Sequence, residues 1–81
     1  MKAHVYVTLK RTVLDAQGQT IAEALKRMQY AGIADVRQGK YFLLTLEDGL
    51  DPVAAEAEVN RIAREVLTNP VIEEFSVRIE F

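Results

Sequence analysis

Cysteine and tryptophan are absent from the 81 residues, and there is one histidine and only two prolines. Without cysteine the chain forms no disulfide, gives no thiolate to a metal and carries no thiol nucleophile. The single histidine, His4, falls in a strand pattern, where a structural or interface role outweighs membership of a hydrolase triad. It also leaves no His-x-x-x-His pair for zinc, and no Asp-x-Asp-x-Asp loop offers itself to calcium. Gly18, Gly32, Gly39 and Gly49 are scattered and spell neither a phosphate-cradling nor a dinucleotide-binding loop. Positive charge is not in excess: 10 bases face 12 acids, a net charge of −2. Non-specific affinity for phosphate backbones is therefore not expected, so no nucleic-acid partner is predicted. No apolar run reaches membrane-span length, and "MKAHVYVTLK" has too short an apolar stretch for a signal peptide. A soluble, cytoplasmic protein without a membrane partner is expected.

What is present fits a folded globule: 49% of residues are hydrophobic and 27% charged. The length predicts one domain over residues 1–81. A domain of this size buries only a little more than about 60% of its extended-chain surface, and association is a common remedy.

Ala3, Val5, Val7 and Leu9 alternate with His4, Tyr6 and Thr8, the period of a half-buried strand. Thr20-Ile21-Ala22-Glu23 matches a capping box. Ile21, Leu25 and Met28 then recur at helical spacing as a buried stripe, and Gly32 is placed to end the helix. Lys40 to Glu47 alternates again and reads as a strand. Asp35 to Arg37 admits two readings: a short strand turning back at Gln38-Gly39, which is preferred, or the start of one long strand bent at a glycine bulge. Asp51-Pro52 starts a second helix, with Ala55, Val59, Ile62, Ala63 and Val66 as its buried stripe. Glu56, Glu58, Arg61, Arg64 and Glu65 form its solvated face. Pro70 stops the helix near Asn69, and Ile72 to Phe81 alternates with Phe75, Val77, Ile79 and Phe81 inward.

The order β-α-β-β-α-β predicts a two-layer α+β sandwich of ferredoxin-like type, an antiparallel sheet with both helices on one face. The bent-strand alternative is β-α-β-α-β. The face left open carries His4, Tyr6, Thr8, Tyr41, Leu43, Thr45, Ser76 and Arg78. That face is either wet with a few tolerated aromatics or a partner surface. In the second reading Tyr6, Tyr41 and Leu43 are a self-association face, because tyrosine offers large area and a polar tip.

Three segments, "LKRTVLDAQG", "VRQGKYFLL" and "NPVIEEF", in this order and spacing, resemble the PurS family. PurS is the small subunit of phosphoribosylformylglycinamidine (FGAM) synthase of de novo purine biosynthesis. The resemblance covers essentially the whole chain. One departure is Ala16, where the family often has proline in the Leu-Asp-Pro-Gln-Gly turn.

The resemblance implies a synthase split among three proteins. A glutaminase subunit releases ammonia with a cysteine nucleophile. A large subunit uses ATP and magnesium to activate the amide oxygen of formylglycinamide ribonucleotide, and ammonia displaces phosphate to give the amidine. The small subunit has no active site and binds no cofactor. It forms a dimer, with a tetramer as the further option, and bridges the other two, supporting ammonia transfer. The family motifs place Leu14, Gly18, Gly39, Asn69 and Pro70 as structural markers.

Two readings remain for the charged loops. Lys10 and Arg11 keep a strand end soluble while Asp15 and Gln17 build a turn, or Lys10, Arg11, Asp15 and Gln17 face a larger partner, with Arg37 and Lys40 in a second loop. If Gln38-Gly39 is a hairpin turn, it lies at the opposite end of the sheet and the two loops need not form one patch. A competing function is a small-molecule regulatory domain of the ACT type, in which Asp15 and Gly18 loosely match an amino-acid-binding turn. An RNA-binding sheet is a distant third, since the basic aromatic signature is missing.

Overall fold

The computed structural model describes residues 1–81. Strand β1 (Lys2–Leu9) is central and antiparallel to both β2 (Gly39–Thr45) and β3 (Glu73–Glu80), giving the order β2-β1-β3. Helix α1 (Ala16–Arg27) lies between β1 and β2, and helix α2 (Pro52–Ile62) lies between β2 and β3. The fold is α+β and ferredoxin-like, in the order β-α-β-α-β.

The preferred hairpin is not formed. Residues 35–37 make no strand, and Gly39 opens β2 as the register partner of Thr8. Glycine is required there because a Cβ would collide with the Val7 carbonyl oxygen and stand 2.7 Å from Thr8 Cγ2. The middle strand is thus short, and the segment before it is irregular.

The core lies on one sheet face. Ala3, Val5 and Val7 of β1 are buried against Val59 of α2 and Ala63. Phe42, Leu44, Phe75, Val77 and Ile79 pack around them, as the alternation predicts. Phe81 follows the last paired residue and is exposed.

Both helix starts depend on aspartate. Asp51 accepts from the Ala54 N–H at 3.1 Å, with Pro52 in the first turn. Asp15 caps α1 five residues before the expected cap at Thr20, which instead sits inside the helix and donates to the Ala16 carbonyl at 3.0 Å. An aspartate whose carboxylate meets a free N–H at once outcompetes a later hydroxyl. The end of α1 also differs from expectation. Gln29, not Gly32, takes the left-handed conformation at φ 70°, with Tyr30 N–H reaching Leu25 O and Gln29 N–H reaching Lys26 O. That is a Schellman closure with glutamine in the position usually held by glycine.

After α2 the chain makes one π-helical turn, Ala63–Leu67. Thr68 Oγ1 donates to the Ala63 carbonyl at 2.7 Å and helps satisfy the freed groups. The extra residue in the turn rotates Val66 to solvent, 73% exposed, and places Leu67 on the core. The stripe read from a constant helical period therefore fails at its last member.

Only α2 and the π-helical turn that continues it cover the sheet. No residue of α1 belongs to the core or packs against it. Its intended stripe is open, with Ile21 40% and Met28 65% exposed. Residues 10–38 leave and re-enter the sheet at the same end, forming an arm that carries α1 away from it. The molecule measures 51 × 26 × 13 Å, and its radius of gyration is 16.1 Å where a compact chain of this length has about 12 Å.

Candidate functional site

The end of the sheet where the arm departs gathers most of the residues singled out from sequence. There β1 ends, β2 and β3 begin, and the loop at Asn69 turns into β3. Because no hairpin intervenes, the Lys10–Gly18 and Arg37–Lys40 segments meet in one patch. A cavity of about 270 Å³ lies between them, floored by Val7 and Leu9 and rimmed by Asp15, Gln17, Gln38 and Lys40.

Asp15 is buried, and both its oxygens accept backbone donors: Oδ1 from Gly18 N–H at 2.9 Å, Oδ2 from Gln38 N–H at 2.7 Å. The Gln38 and Gly18 amides, with the Arg37 charge nearby, hold its carboxyl below the ordinary range despite burial. Arg37 is exposed but bonds back onto the chain. Its Nη2 donates to the carbonyls of Leu9, Lys10 and Val13 at 3.2, 3.1 and 3.4 Å. The Gln38 side-chain amide donates to Gln17 Oε1. Gly18 sits where a Cβ would strike the Val36 carbonyl oxygen and lie 2.7 Å from Asp15 Oδ2, so this position needs the bare backbone.

Lys40 pairs with Glu73, Nζ to Oε2 at 3.3 Å. Glu73 Oε1 accepts the Asn69 N–H at 2.7 Å, and that bond, with Lys40, lowers the Glu73 carboxyl from its ordinary value. Asn69 forms the corner with both ends of its residue: its Oδ1 accepts from Val71 N–H and its carbonyl from Ile72 and Glu73. Pro70 follows it, exposed. Lys10 and Arg11 enter no ion pair, and Arg11, Leu14 and Gln17 are exposed. Of the charged set read from sequence, the half-buried Lys10 and the exposed Arg11 thus make no ion pair, whereas Asp15, Arg37 and Lys40 have partners within the chain.

The open sheet face forms a second, separate cluster. Tyr6, Tyr41 and Leu43 are 41, 53 and 50% exposed. Tyr6 and Tyr41 are cross-strand partners with ring centroids 5.4 Å apart. His4 lies beneath: Nε2 donates to Glu80 Oε2 at 2.9 Å, and Nδ1 is 2.6 Å from the Tyr41 hydroxyl. An ionised Glu80 only accepts, which fixes Nε2 as the donor and lets Nδ1 accept from tyrosine in the neutral ring. The His4 bond is the main cause holding the Glu80 carboxyl below its ordinary value.

Gln38 and Glu73 escaped the sequence reading. Gln38 reaches Asp15 across 23 residues, and the ion pair of Glu73 reaches Lys40 on another strand. Local periodicity carries no trace of such a pairing. The amino-acid-binding alternative relied on Asp15, and its oxygens already serve the fold. No helix is long and apolar enough to cross a membrane.

Comparison with known proteins gives one result. Residues 2–81 match the family model PurS, described as phosphoribosylformylglycinamidine (FGAM) synthase. The chain is 44% identical over 79 residues to a Mycobacterium leprae protein, phosphoribosylformylglycinamidine synthase subunit PurS, covering 98% of this chain and 95% of that one. The structure of Bacillus subtilis PurS superposes with a TM-score of 0.80 at 40% identity, covering 99% of this chain and 98% of the other. A chain in the structure of PurLQS from Thermotoga maritima superposes with a TM-score of 0.85 at 31% identity, covering 95% and 93%.

Proposed function

The chain belongs to the PurS family of FGAM synthase, and on that premise we propose that it is the non-catalytic bridging subunit of the synthase in de novo purine biosynthesis. It joins the glutaminase subunit to the large ATP-dependent subunit in the cytoplasm and supports the ammonia transfer that converts formylglycinamide ribonucleotide to the amidine. Glutamine, ATP and magnesium are used by the complex, a carbon–nitrogen ligase, and this chain binds none of them. The Thermotoga relative, solved as PurLQS, supports a place in such an assembly.

The observation that carries the reading is the uncovered arm. An 81-residue chain places the apolar stripe of one of its two helices where its own sheet does not reach. Exposed apolar surface in a small domain is stabilised by association. The protein forms a homodimer, or a tetramer, in which the Tyr6, Tyr41 and Leu43 face takes part. Lys10, Arg11 and Gln17, with Lys40 at the cavity rim, face the larger subunits, where charged groups set encounter rate and register. Asp15 and Arg37 serve this docking indirectly, by bonds within the chain that shape the loops presenting it.

Size-exclusion chromatography with light scattering tests the reading. The purified chain runs as a dimer or larger even oligomer and co-elutes with the glutaminase and the large subunit when glutamine and nucleotide are present. A chain that stays monomeric and never co-elutes overturns it. Turnover of glutamine or ATP by the isolated chain overturns it equally.

A further inference from the structure

We propose that Asp15, Gly18, Arg37 and Gln38 form a lock that fixes the direction of the α1 arm relative to the sheet. The arm leaves β1 after Leu9 and returns at Gly39, and two segments join it to the sheet, the outgoing one also bonded at its first residue by Lys10 N–H to the Ile72 carbonyl at 2.9 Å. With no α1 residue packed on the core, hydrophobic contact does not hold the arm in place. The bonds between the outgoing and returning segments do.

One carboxylate spans them. Asp15 Oδ1 takes the Gly18 N–H of the first turn of α1, and Oδ2 takes the Gln38 N–H of the returning segment. Arg37, next to Gln38, reaches the carbonyls of Leu9, Lys10 and Val13 on the outgoing side. Gly18 brings α1 close enough to the Val36 carbonyl to exclude any side chain. Bonds to a charged acceptor are stronger than neutral ones, and Asp15 is shielded from water. The arm's two joining segments are thus cross-linked at their base, and the helix is presented in one orientation. That the presented helix meets partners rests on the bridging reading; the lock itself does not.

The chain's lack of cysteine makes the test direct. Arg27→Cys and Glu47→Cys introduce a spin-label pair, one on the far end of α1 and one beyond β2, diluted with excess unlabelled chain so that only distances within one chain are read. The parent pair gives one narrow distance distribution. Adding Asp15→Ala broadens it and speeds amide exchange at Gly18 and Gln38 by about tenfold or more, while circular dichroism keeps its strand and helix signals. If Asp15→Ala does not fold, Gly18→Ala, which keeps the carboxylate but forces the segments apart, is measured in the same way and broadens the distribution. A distribution as narrow as the parent's in a folded variant overturns the lock. Co-elution with the large and glutaminase subunits is scored separately: a parent chain that never co-elutes sinks the bridging reading and leaves the distance result standing.

Discussion

Lys40 Nζ lies 3.3 Å from Glu73 Oε2, joining the two edge strands β2 and β3 across the last residues of the central strand, where Lys40 is the partner of Val7 and Glu73 of Leu9. The same carboxylate accepts the Asn69 N–H, so one glutamate holds an edge-to-edge ion pair and the corner that begins β3.

This arrangement has an acid limit with a definite sign. Asp15, Glu73 and Glu80 all titrate below their ordinary values of 3.8, 4.5 and 4.5 in the folded chain. A group with a depressed folded pKa adds stability that is complete above its unfolded pKa and is lost as pH falls through the folded value. Urea midpoints should therefore change little on acidification until the ordinary carboxylate range is reached, then fall. Glu73→Gln and Asp15→Asn each lower the neutral-pH midpoint and flatten part of the acid limb. An acid limb unchanged in both variants would refute the assignment.

The two helix starts make opposite predictions for residues that look alike in sequence. Asp51→Ala removes the bond to Ala54 N–H and should cost about 1 kcal/mol in urea unfolding. Thr20→Ala removes only a bond back to the Ala16 carbonyl inside α1, and should change stability by less than about 0.5 kcal/mol. A large loss at Thr20 would restore the capping box as the true start.

These cases mark how far the sequence was legible. Strand alternation put Ala3, Val5, Val7, Phe42, Leu44, Phe75, Val77 and Ile79 on the core side, because a two-residue period survives any tertiary arrangement. Asp51-Pro52 fixed the start of α2 for a local reason of the same kind. The arm was not legible. The Ile21, Leu25 and Met28 stripe states that the helix needs cover, but periodicity does not say whether its own sheet supplies it. The preferred hairpin failed for a related reason: Arg37 and Gln38 take their partners from the Leu9–Asp15 segment, and those bonds displace strand pairing. Within the candidate site, most of the residue types singled out fall at one end of the sheet, whereas the bonds that engage Asp15 and Arg37 within the chain join distant positions and leave no local pattern.

The π-helical turn after α2 predicts an inversion between neighbours. Leu67 packs on the core and Val66 faces solvent. Leu67→Ala should cost about 2 kcal/mol or more, and Val66→Ala less than about 0.5 kcal/mol. Thermal unfolding of the two variants decides it. Equal losses would mean that the regular helical register continues past Ile62.

The tyrosine face predicts a specific loss of association. Leu43 stands beside Tyr41, half exposed, and opposite His4 across the ladder. Leu43→Glu puts a charge into the proposed self-contact without disturbing the core side of β2. Sedimentation should show dimer affinity lowered by about tenfold or more, with circular dichroism unchanged. A variant that dimerises like the parent would remove this face from the contact and leave the α1 stripe as the surface to test.

Charge at the arm's base predicts a different signature. Lys10 and Arg11 are unpaired within the chain, so their charges are free to act at a distance on an approaching subunit. Reversing both, Lys10→Glu with Arg11→Glu, should slow association with the larger subunits by about tenfold at low salt. Dissociation should change little, since rim charges act mainly on encounter. Raising salt screens the field over about 8 to 10 Å near physiological strength, so parent and variant rates should converge. Stopped-flow or surface-binding kinetics across a salt series reads both arms. A slowing that persists at high salt would mean lost contacts in the docked state, and identical rates at low salt would mean that these two cations serve solubility alone.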